Sequence, residues 1–516
     1  MIRVMKWQQN ATPARHVGRR IGAPARRACA IGTSIVLALA AFPIHADESV
    51  EEAVSAARAW LQAEPGSRQD WEDTLSAFSG DPGVVIDAIR PKGSPEHASI
   101  VGREIKGDTF QVPRLLARNE DHPFNFYVPP HYDPAEPMGL ILWLHGGGTY
   151  KPGKNVKRRS VEGKLSELEA GDYILVAAEA CHGVNFPPGA VPDKLANRWA
   201  VPASERYLSD LVNEFMHRYH IDPNRVVLWG YSMGGIGAYN HAMRTDRFAA
   251  VGIGGGSWTW GTFDAMRNTP VYIWHGKHDS YWNSPEDCRN RMTDVCHARF
   301  AHEILTELGF DHLYVETEGG HNDVNRRDGK WFDATAGFFR GQKGFLIGKV
   351  RDPYARRVTA MTPRGIYEVV DPKTSGDPYR QAESLHDRWL SIDAYTPGPI
   401  PVDHLVKSGT IRKAPTREAW LDYSATRSRD TFEGARIDAE NRGGNRFEVT
   451  TKHVDRYSLW LHPEMVDFRE PIVVETNGIR TQHRAQPNLL TALRSVERRE
   501  DWGLIYFARI EIEVEI

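Results

Sequence analysis

Between about residue 138 and residue 321 the chain alternates short, unbroken apolar runs with amphipathic stretches. The runs are GLILWLHGG (139–147), YILVAAEA (173–180), RVVLWGYS (225–232), AAVGIGGGS (249–257), PVYIWHGK (270–277) and HLYVETEGG (312–320). Continuous apolar runs of strand length, without polar alternation, predict strands buried on both faces, as in a parallel sheet covered by helices. From Pro202 to Tyr219, residues Tyr207, Leu208, Leu211, Val212, Phe215, Met216 and Tyr219 recur at helical spacing, which predicts a crossover helix. The predicted fold class is α/β, a doubly wound and mostly parallel sheet.

The pattern changes on either side. Residues 47–103 predict a small helical N-terminal region, with Val50, Val54, Ala57 and Leu61 on one face and Trp71, Leu75 and Phe78 on the next, broken by EPGS and SGDPG. Beyond residue 345 the helical period fades into β-like runs: IYEVV, RFEVTT, YSLWL, PIVVETNG and RIEIEVEI. In the last, Ile510, Ile512, Val514 and Ile516 alternate with charged residues, as on a half-buried strand. The expected division is therefore a leader over 1–46, a helical region over 47–103, an α/β domain over 104–345 and a mainly β domain over 346–516, with one helix near Asn488–Arg498.

The leader follows the plan of a signal peptide. A basic stretch ends at Arg26-Arg27, an apolar run of about 13 residues extends from Ala30 to Phe42, and small residues precede Asp47. Cleavage after Ala46, and a periplasmic or secreted product, are expected. The run is short for a membrane span and no later stretch approaches 18 uncharged apolar residues, so integral membrane association is not expected.

Composition narrows the classes further. The 516 residues are 41% hydrophobic and 25% charged, within the ordinary globular range. Residues 1–46 carry seven basic side chains and no acidic one, so the net charge of −3 leaves the remainder near −10, which argues against a nucleic-acid partner. Removing the leader takes Cys29 and leaves Cys181, Cys288 and Cys296, of which the last two could close a short disulfide loop.

The strongest chemical signal is Gly230-Tyr231-Ser232-Met233-Gly234, between a predicted strand and a helix-compatible segment. In G-x-S-x-G a serine on a sharp strand-to-helix turn is exposed, and the glycines remove side chains that would collide there. Ser232 is the candidate nucleophile. A serine hydroxyl needs a base, and the base needs an orienting carboxylate. Asp279 follows the strand ending at Lys277 and His321 follows the strand ending near Gly320, both at carboxyl ends of strands, where catalytic groups gather in open α/β sheets. Asp287 and Asp294 are alternative acids, and His275, His278 and His312 alternative bases. His217 and His220, at i and i+3, lack a third ligand of suitable spacing, so no metal is expected.

The oxyanion of an acyl-transfer intermediate needs donors. These are expected from the Met233 amide and Gly147, with Gly148 as the alternative. Trp258, Trp260, Trp282 and Trp199 are candidates for a flat, partly polar substrate-binding surface.

The segments FYVPPHYDPAEPMGLILWLHGGG, NRVVLWGYSMGGIGAYNHA, VYIWHGKHD and VETEGGHND resemble the α/β-hydrolase superfamily, and within it secreted bacterial esterases related to polyhydroxybutyrate depolymerases, feruloyl esterases and prolyl-oligopeptidase-like hydrolases. The resemblance spans roughly residues 105–342. It implies a triad of Ser232, Asp279 and His321 and a serine carboxylic-ester hydrolase acting on a small-molecule or polymer ester, without a cofactor. A peptidase on the same triad and a carbohydrate- or partner-binding protein are the alternatives.

Overall fold

The computed structural model describes residues 45–110, 123–146, 172–180, 199, 202–256, 260–277, 279, 293–317, 319–321, 326–327, 330–331, 345–362, 364, 385–407 and 425–514. Residues 47–516 form one compact unit.

Eight strands build the central sheet: β1 (Glu104–Asp108), β2 (Phe124–Tyr127), β3 (Met138–Leu144), β4 (Tyr173–Ala178), β5 (Ile221–Tyr231), β6 (Ala250–Gly254), β7 (Val271–Gly276) and β8 (His312–Thr317). Their spatial order is β1-β2-β4-β3-β5-β6-β7-β8. β2 pairs antiparallel with both neighbours, and every pairing from β4 to β8 is parallel. Each of the six apolar runs between residues 138 and 321 supplies a strand of this sheet.

Period-2 alternation splits each run between two cores. Leu140, Leu142 and Leu144 of β3, Val226 and Leu228 of β5, and Val271 and Ile273 of β7 face one side. There they meet α4 (Pro202–Arg218), α5 (Met233–Arg244) and α6 (Val295–Leu308) through Leu208, Leu211, Phe215, Ala238 and Ile304. Ile141, Val227, Trp229, Tyr272 and Trp274 face the other side, around Leu346. Neither face is wet, which is why these strands carry no polar alternation.

The N-terminal helices α1 (His45–Gln62), α2 (Gln69–Ala77) and α3 (Pro82–Ile89) bury Ala57, Trp60, Leu75, Val85 and Ile86 against α7 (Leu489–Arg499), near the far end of the chain. α7 starts where Asn488 accepts the Thr491 amide at 2.9 Å, an N-cap.

The C-terminal strands are β9 (Arg357–Thr362), β10 (Leu390–Tyr395), β11 (Gly398–Lys407), β12 (Ala425–Gly443), β13 (Arg446–Lys452), β14 (Val454–Leu461), β15 (Ile472–Thr476), β16 (Ile479–His483) and β17 (Ala508–Glu513). One sheet runs β16-β15-β13-β12-β11, with β9 also on β12, and a second contains β10-β14-β17. Ile437, Ala439, Val449 and Val474 of the first pack with Ile392, Leu459, Ile510 and Ile512 of the second, a β-sandwich. IYEVV lies outside the described residues.

Among the contacts that join the sandwich to the α/β region, two stand out. The first is backbone pairing: the two-residue strand Trp260–Gly261, shortly after β6, pairs antiparallel with His404 and Asp403 of β11. The second is buried Arg351, which donates to both Asp501 carboxylate oxygens at 2.6 and 2.8 Å and to the carbonyls of Pro223, Asp246 and Arg247. Among the described residues no helix is long and apolar enough to cross a membrane.

Candidate active site

Ser232 stands between β5 and α5 with φ 57° and ψ −119°, a backbone conformation that L-residues avoid. The strain is over-determined by its surroundings. The Ser232 amide donates to Gly254 O at 2.7 Å, and the Ser232 carbonyl accepts the Ile236 amide at 2.9 Å. The glycines are required by close approach. A Cβ on Gly230 would lie 2.0 Å from Gly234 O, and one on Gly234 would lie 2.1 Å from Leu144 O. This is the strand–turn–helix context that the G-x-S-x-G spacing demands.

The structure brings Ser232, His321 and Asp279 together. Ser232 Oγ and His321 Nε2 are 2.9 Å apart, and His321 Nδ1 lies 2.7 Å from Asp279 Oδ2. Since Nδ1 faces a carboxylate it carries a hydrogen, leaving Nε2 to accept from the serine. The His321 side chain is one-third exposed, whereas that of Asp279 is buried.

Asp279 is fixed from several directions. Its amide donates to Gly276 O at 2.9 Å, closing a turn at the end of β7, and its carbonyl accepts the Val295 amide at 2.8 Å. Burial pushes its carboxyl up, but hydrogen bonds from His275 and His321 outweigh burial and hold it below the ordinary carboxylate value.

None of the described rival residues takes the place of Asp279 or His321 in this chain of contacts. Asp294 occupies the N-cap position of α6, and Asp287 and His278 lie outside the described residues. His312 begins β8, at the opposite end of that strand from His321, with its ring against His302. His275, fully buried in β7, reaches Asp279 as well, at Oδ2.

For the oxyanion donors, Met233 is the first residue of α5, whose opening turn follows Ser232 directly. Gly147 and Gly148 lie outside the described residues, but Gly146, just before them, abuts the elbow: its Cβ would sit 3.3 Å from Ser232 Cβ. The end of β3 is anchored by His145. Its Nε2 accepts the Ala180 amide at 3.1 Å, so Nδ1 carries the hydrogen and donates to Gly146 O at 2.8 Å. Spacing alone could not assign this role to His145, because its partner Ala180 lies just past the end of the neighbouring strand β4.

Trp199 corrects a sequence expectation. It is fully buried, its indole donates to His145 O at 3.0 Å, and its ring meets the His145 ring edge-on at 5.3 Å. A Cβ on Gly237 of α5 would lie 2.2 Å from Trp199 Cβ. Trp199 therefore braces the end of β3 from the core and does not line a substrate surface. Trp258 and Trp282 lie outside the described residues, and Trp260 is described through its backbone pairing with β11. Cys296 is disulfide-bonded, while Cys29, Cys181, Cys288 and hence the expected 288–296 pairing lie outside the described residues.

Among the described residues no group of three His, Cys, Asp or Glu side chains is arranged to hold a metal ion.

A mostly parallel sheet with β2 reversed, and a strained serine at the turn after β5, define an α/β-hydrolase. Residues 117–322 match the Esterase family model, described as "Putative esterase". Over 80 residues the chain is 34% identical to the bifunctional acetylxylan esterase/xylanase XynS20E of Neocallimastix patriciarum, a match covering 15% of this chain and 12% of that protein. It is also similar to the crystal structure of a thermostable esterase (20% identity, 49% of this chain and 64% of that one, TM-score 0.36). A ferulic acid esterase from Anaeromyces mucronatus is 18% identical, with 48% of this chain and 90% of that one covered and a TM-score of 0.34.

Proposed function

We propose that the protein is a serine carboxylic-ester hydrolase that works through an acyl-enzyme. The observation that carries this reading is the continuous contact from Ser232 Oγ to His321 Nε2 at 2.9 Å and from His321 Nδ1 to Asp279 at 2.7 Å, on an elbow that holds the serine in a strained conformation.

In this mechanism Ser232 Oγ attacks the ester carbonyl carbon while His321 Nε2 takes its proton. The carbonyl π electrons move onto oxygen, and that oxyanion is met by the Met233 amide and a backbone N–H of Gly147 or Gly148. Collapse breaks the bond to the alkoxy oxygen, which receives the proton from His321 and leaves as the alcohol. Water then attacks the acyl-enzyme, with His321 again as base, and the acid departs as Ser232 regains its proton. Asp279 stays ionised throughout and stabilises the imidazolium formed in each half.

Removal of residues 1–46 and export are part of the same proposal, supported by the basic, apolar and small-residue order of that segment. Amino-terminal sequencing of the protein recovered from the periplasm or medium tests it, with Asp47 expected as the first residue.

Hydrolysis is tested with p-nitrophenyl acyl esters, acetylated xylan, feruloyl sugars and aminoacyl p-nitroanilides, with folded Ser232→Ala as control. Ester turnover that disappears in Ser232→Ala supports the reading. Ester turnover that persists in the variant, or activity confined to the anilides, overturns it.

A further inference from the structure

Asp279 receives two histidines, and the mechanism above uses only one. His275, the penultimate residue of β7, is fully buried, and its Nε2 lies 3.2 Å from Asp279 Oδ2, the oxygen that also meets His321 Nδ1. The same nitrogen lies 2.6 Å from Thr293 O, an acceptor only, so Nε2 carries a hydrogen shared between a carbonyl and the carboxylate. The other ring nitrogen, Nδ1, is buried without a hydrogen-bond partner among the described residues. Nε2 is thus the one working edge of the ring.

That hydrogen ties together the two segments that fix the acid. Thr293 lies two residues before Val295, whose amide holds the Asp279 carbonyl, and the residue after His275, Gly276, accepts the Asp279 amide. Gly276 has no room for a side chain: a Cβ there would lie 2.4 Å from Gly319 O, on the segment that leads to His321. β7 therefore presents His275 beneath the carboxylate while its next residue packs against the histidine loop.

We propose that His275 is a positioning residue for the ester hydrolysis described above, holding the Asp279 carboxylate in the orientation that meets His321 Nδ1. The inference rests on the triad reading and extends it to a fourth side chain, which acts through Asp279 and does not touch substrate. When His321 is neutral and ready to accept the serine proton, Asp279 bears a full buried charge with no imidazolium beside it. That competent state gains most from a second donor, so loss of the donor disfavours it relative to the protonated pair. Among the described residues His297 of α6 is a further titratable group beside His275, and burial, aided by the proximity of His275, pushes it down to about 3.

The test compares His275→Leu, which removes the donor, with His275→Gln, whose side-chain amide nitrogen can occupy the place of Nε2. His275→Leu is expected to lower kcat about ten- to a hundredfold with KM little changed, the scale on which outer partners of catalytic groups act. It should also move the acid limb of the kcat/KM profile up by about half to one pH unit, and His275→Gln should recover most of both. The low-field proton resonance of the His321 Nδ1–H, assigned by its loss in His321→Ala, should shift in His275→Leu and return towards its original position in His275→Gln.

A folded His275→Leu with the parent kcat, acid limb and low-field resonance overturns the proposal. So does a fall in kcat with the limb and resonance unmoved, which would mark a packing role. If His275→Leu does not fold, His275→Asn replaces it, because its donor stops short of the carboxylate, and the same shifts are required. The resonance is read on resting protein, so it reports on His275 even if Ser232→Ala were to show that the triad reading is wrong.

Discussion

The phenol of Tyr231 donates a hydrogen bond to the carbonyl oxygen of His321, while its ring lies against the His321 imidazole with centroids 5.5 Å apart and planes inclined by 27°. The residue that precedes the candidate nucleophile thus holds the candidate base, through both the main chain and the ring of that histidine. Replacing Tyr231 with Phe keeps the ring contact and removes the hydrogen bond. One hydrogen bond of about 1 kcal/mol corresponds to a fall of roughly fivefold in kcat, with KM nearly unchanged, because the loss falls on alignment of the base. Steady-state kinetics on a p-nitrophenyl ester measure this, and a rise in KM alone would assign Tyr231 to substrate contact instead.

His145→Ala removes the side chain that ties the end of β3 to the Ala180 amide and to its own next carbonyl. Gly146 should lose its fixed approach to the elbow. The expected result is a kcat lower by about ten- to a hundredfold, less than the roughly hundred- to thousandfold that follows outright loss of an oxyanion donor. Trp199→Phe, which deletes the indole bond to His145 O and leaves part of a fully buried site unfilled, should lower stability by about 2–3 kcal/mol and affect kcat less. Denaturant titration beside kinetics separates the two.

Gly234→Ala should be severe. The added methyl would sit 2.1 Å from Leu144 O, a backbone atom in a central strand. Relief requires moving β3 or α5, and overpacking of this kind costs about 1–3 kcal/mol. Activity should fall more than a hundredfold even where the protein remains folded, since the displaced atoms flank Ser232. A variant with near-parent kcat would show that the elbow has slack that the distances deny.

The Arg351–Asp501 pair makes a prediction about pH. Burial pushes the Asp501 carboxyl up, but Arg351 outweighs burial and holds it below the ordinary carboxylate value. A carboxyl depressed in the folded state adds stability above its unfolded value of about 3.9, and that stability is lost as pH falls through the folded value. Asp501→Asn should therefore be less stable at pH 7 by about 3 kcal/mol, the lower end for breaking a buried pair. The gap between parent and variant should close below about pH 4. Urea midpoints from pH 3 to pH 8 would show it, and a gap constant with pH would assign the loss to packing.

The sheet was legible in the sequence because strands buried on both faces leave an unmistakable mark, as in GLILWL and VYIWHG. β12 was not. Its 19 residues, ATRSRDTFEGARIDAENRG, carry a charge at nearly every second or third place, and among its described side chains only Ala435, Ile437 and Ala439 belong to the sandwich core. Ser232, Asp279 and His321 could be picked out because each ends a readable strand, and the structure gathers those three. Trp199 was misassigned because a sequence states what a side chain is and not which way it faces: an aromatic next to a loop reads alike whether it points to solvent or braces a strand. His275 was singled out as a rival to His321, and only the folded chain places the two on one carboxylate oxygen.

The packing of α1–α3 against α7 also bears on the order in which the protein can fold. Asn488 donates to the carbonyl of Ser76 at 3.4 Å across 412 residues of chain, and Trp60, Leu75 and Ile86 find their cover in Leu489, Leu493 and Val496. During synthesis the first helices leave the ribosome long before their partner exists. Contacts so distant in sequence form late, after the loop between them has been closed by other structure. The Trp260–Gly261 strand likewise waits for residues near 404. At the growth rate of a nascent chain, about 5–20 residues per second, the apolar faces of α1–α3 go uncovered for tens of seconds, which makes these helices the part of the molecule most in need of a chaperone.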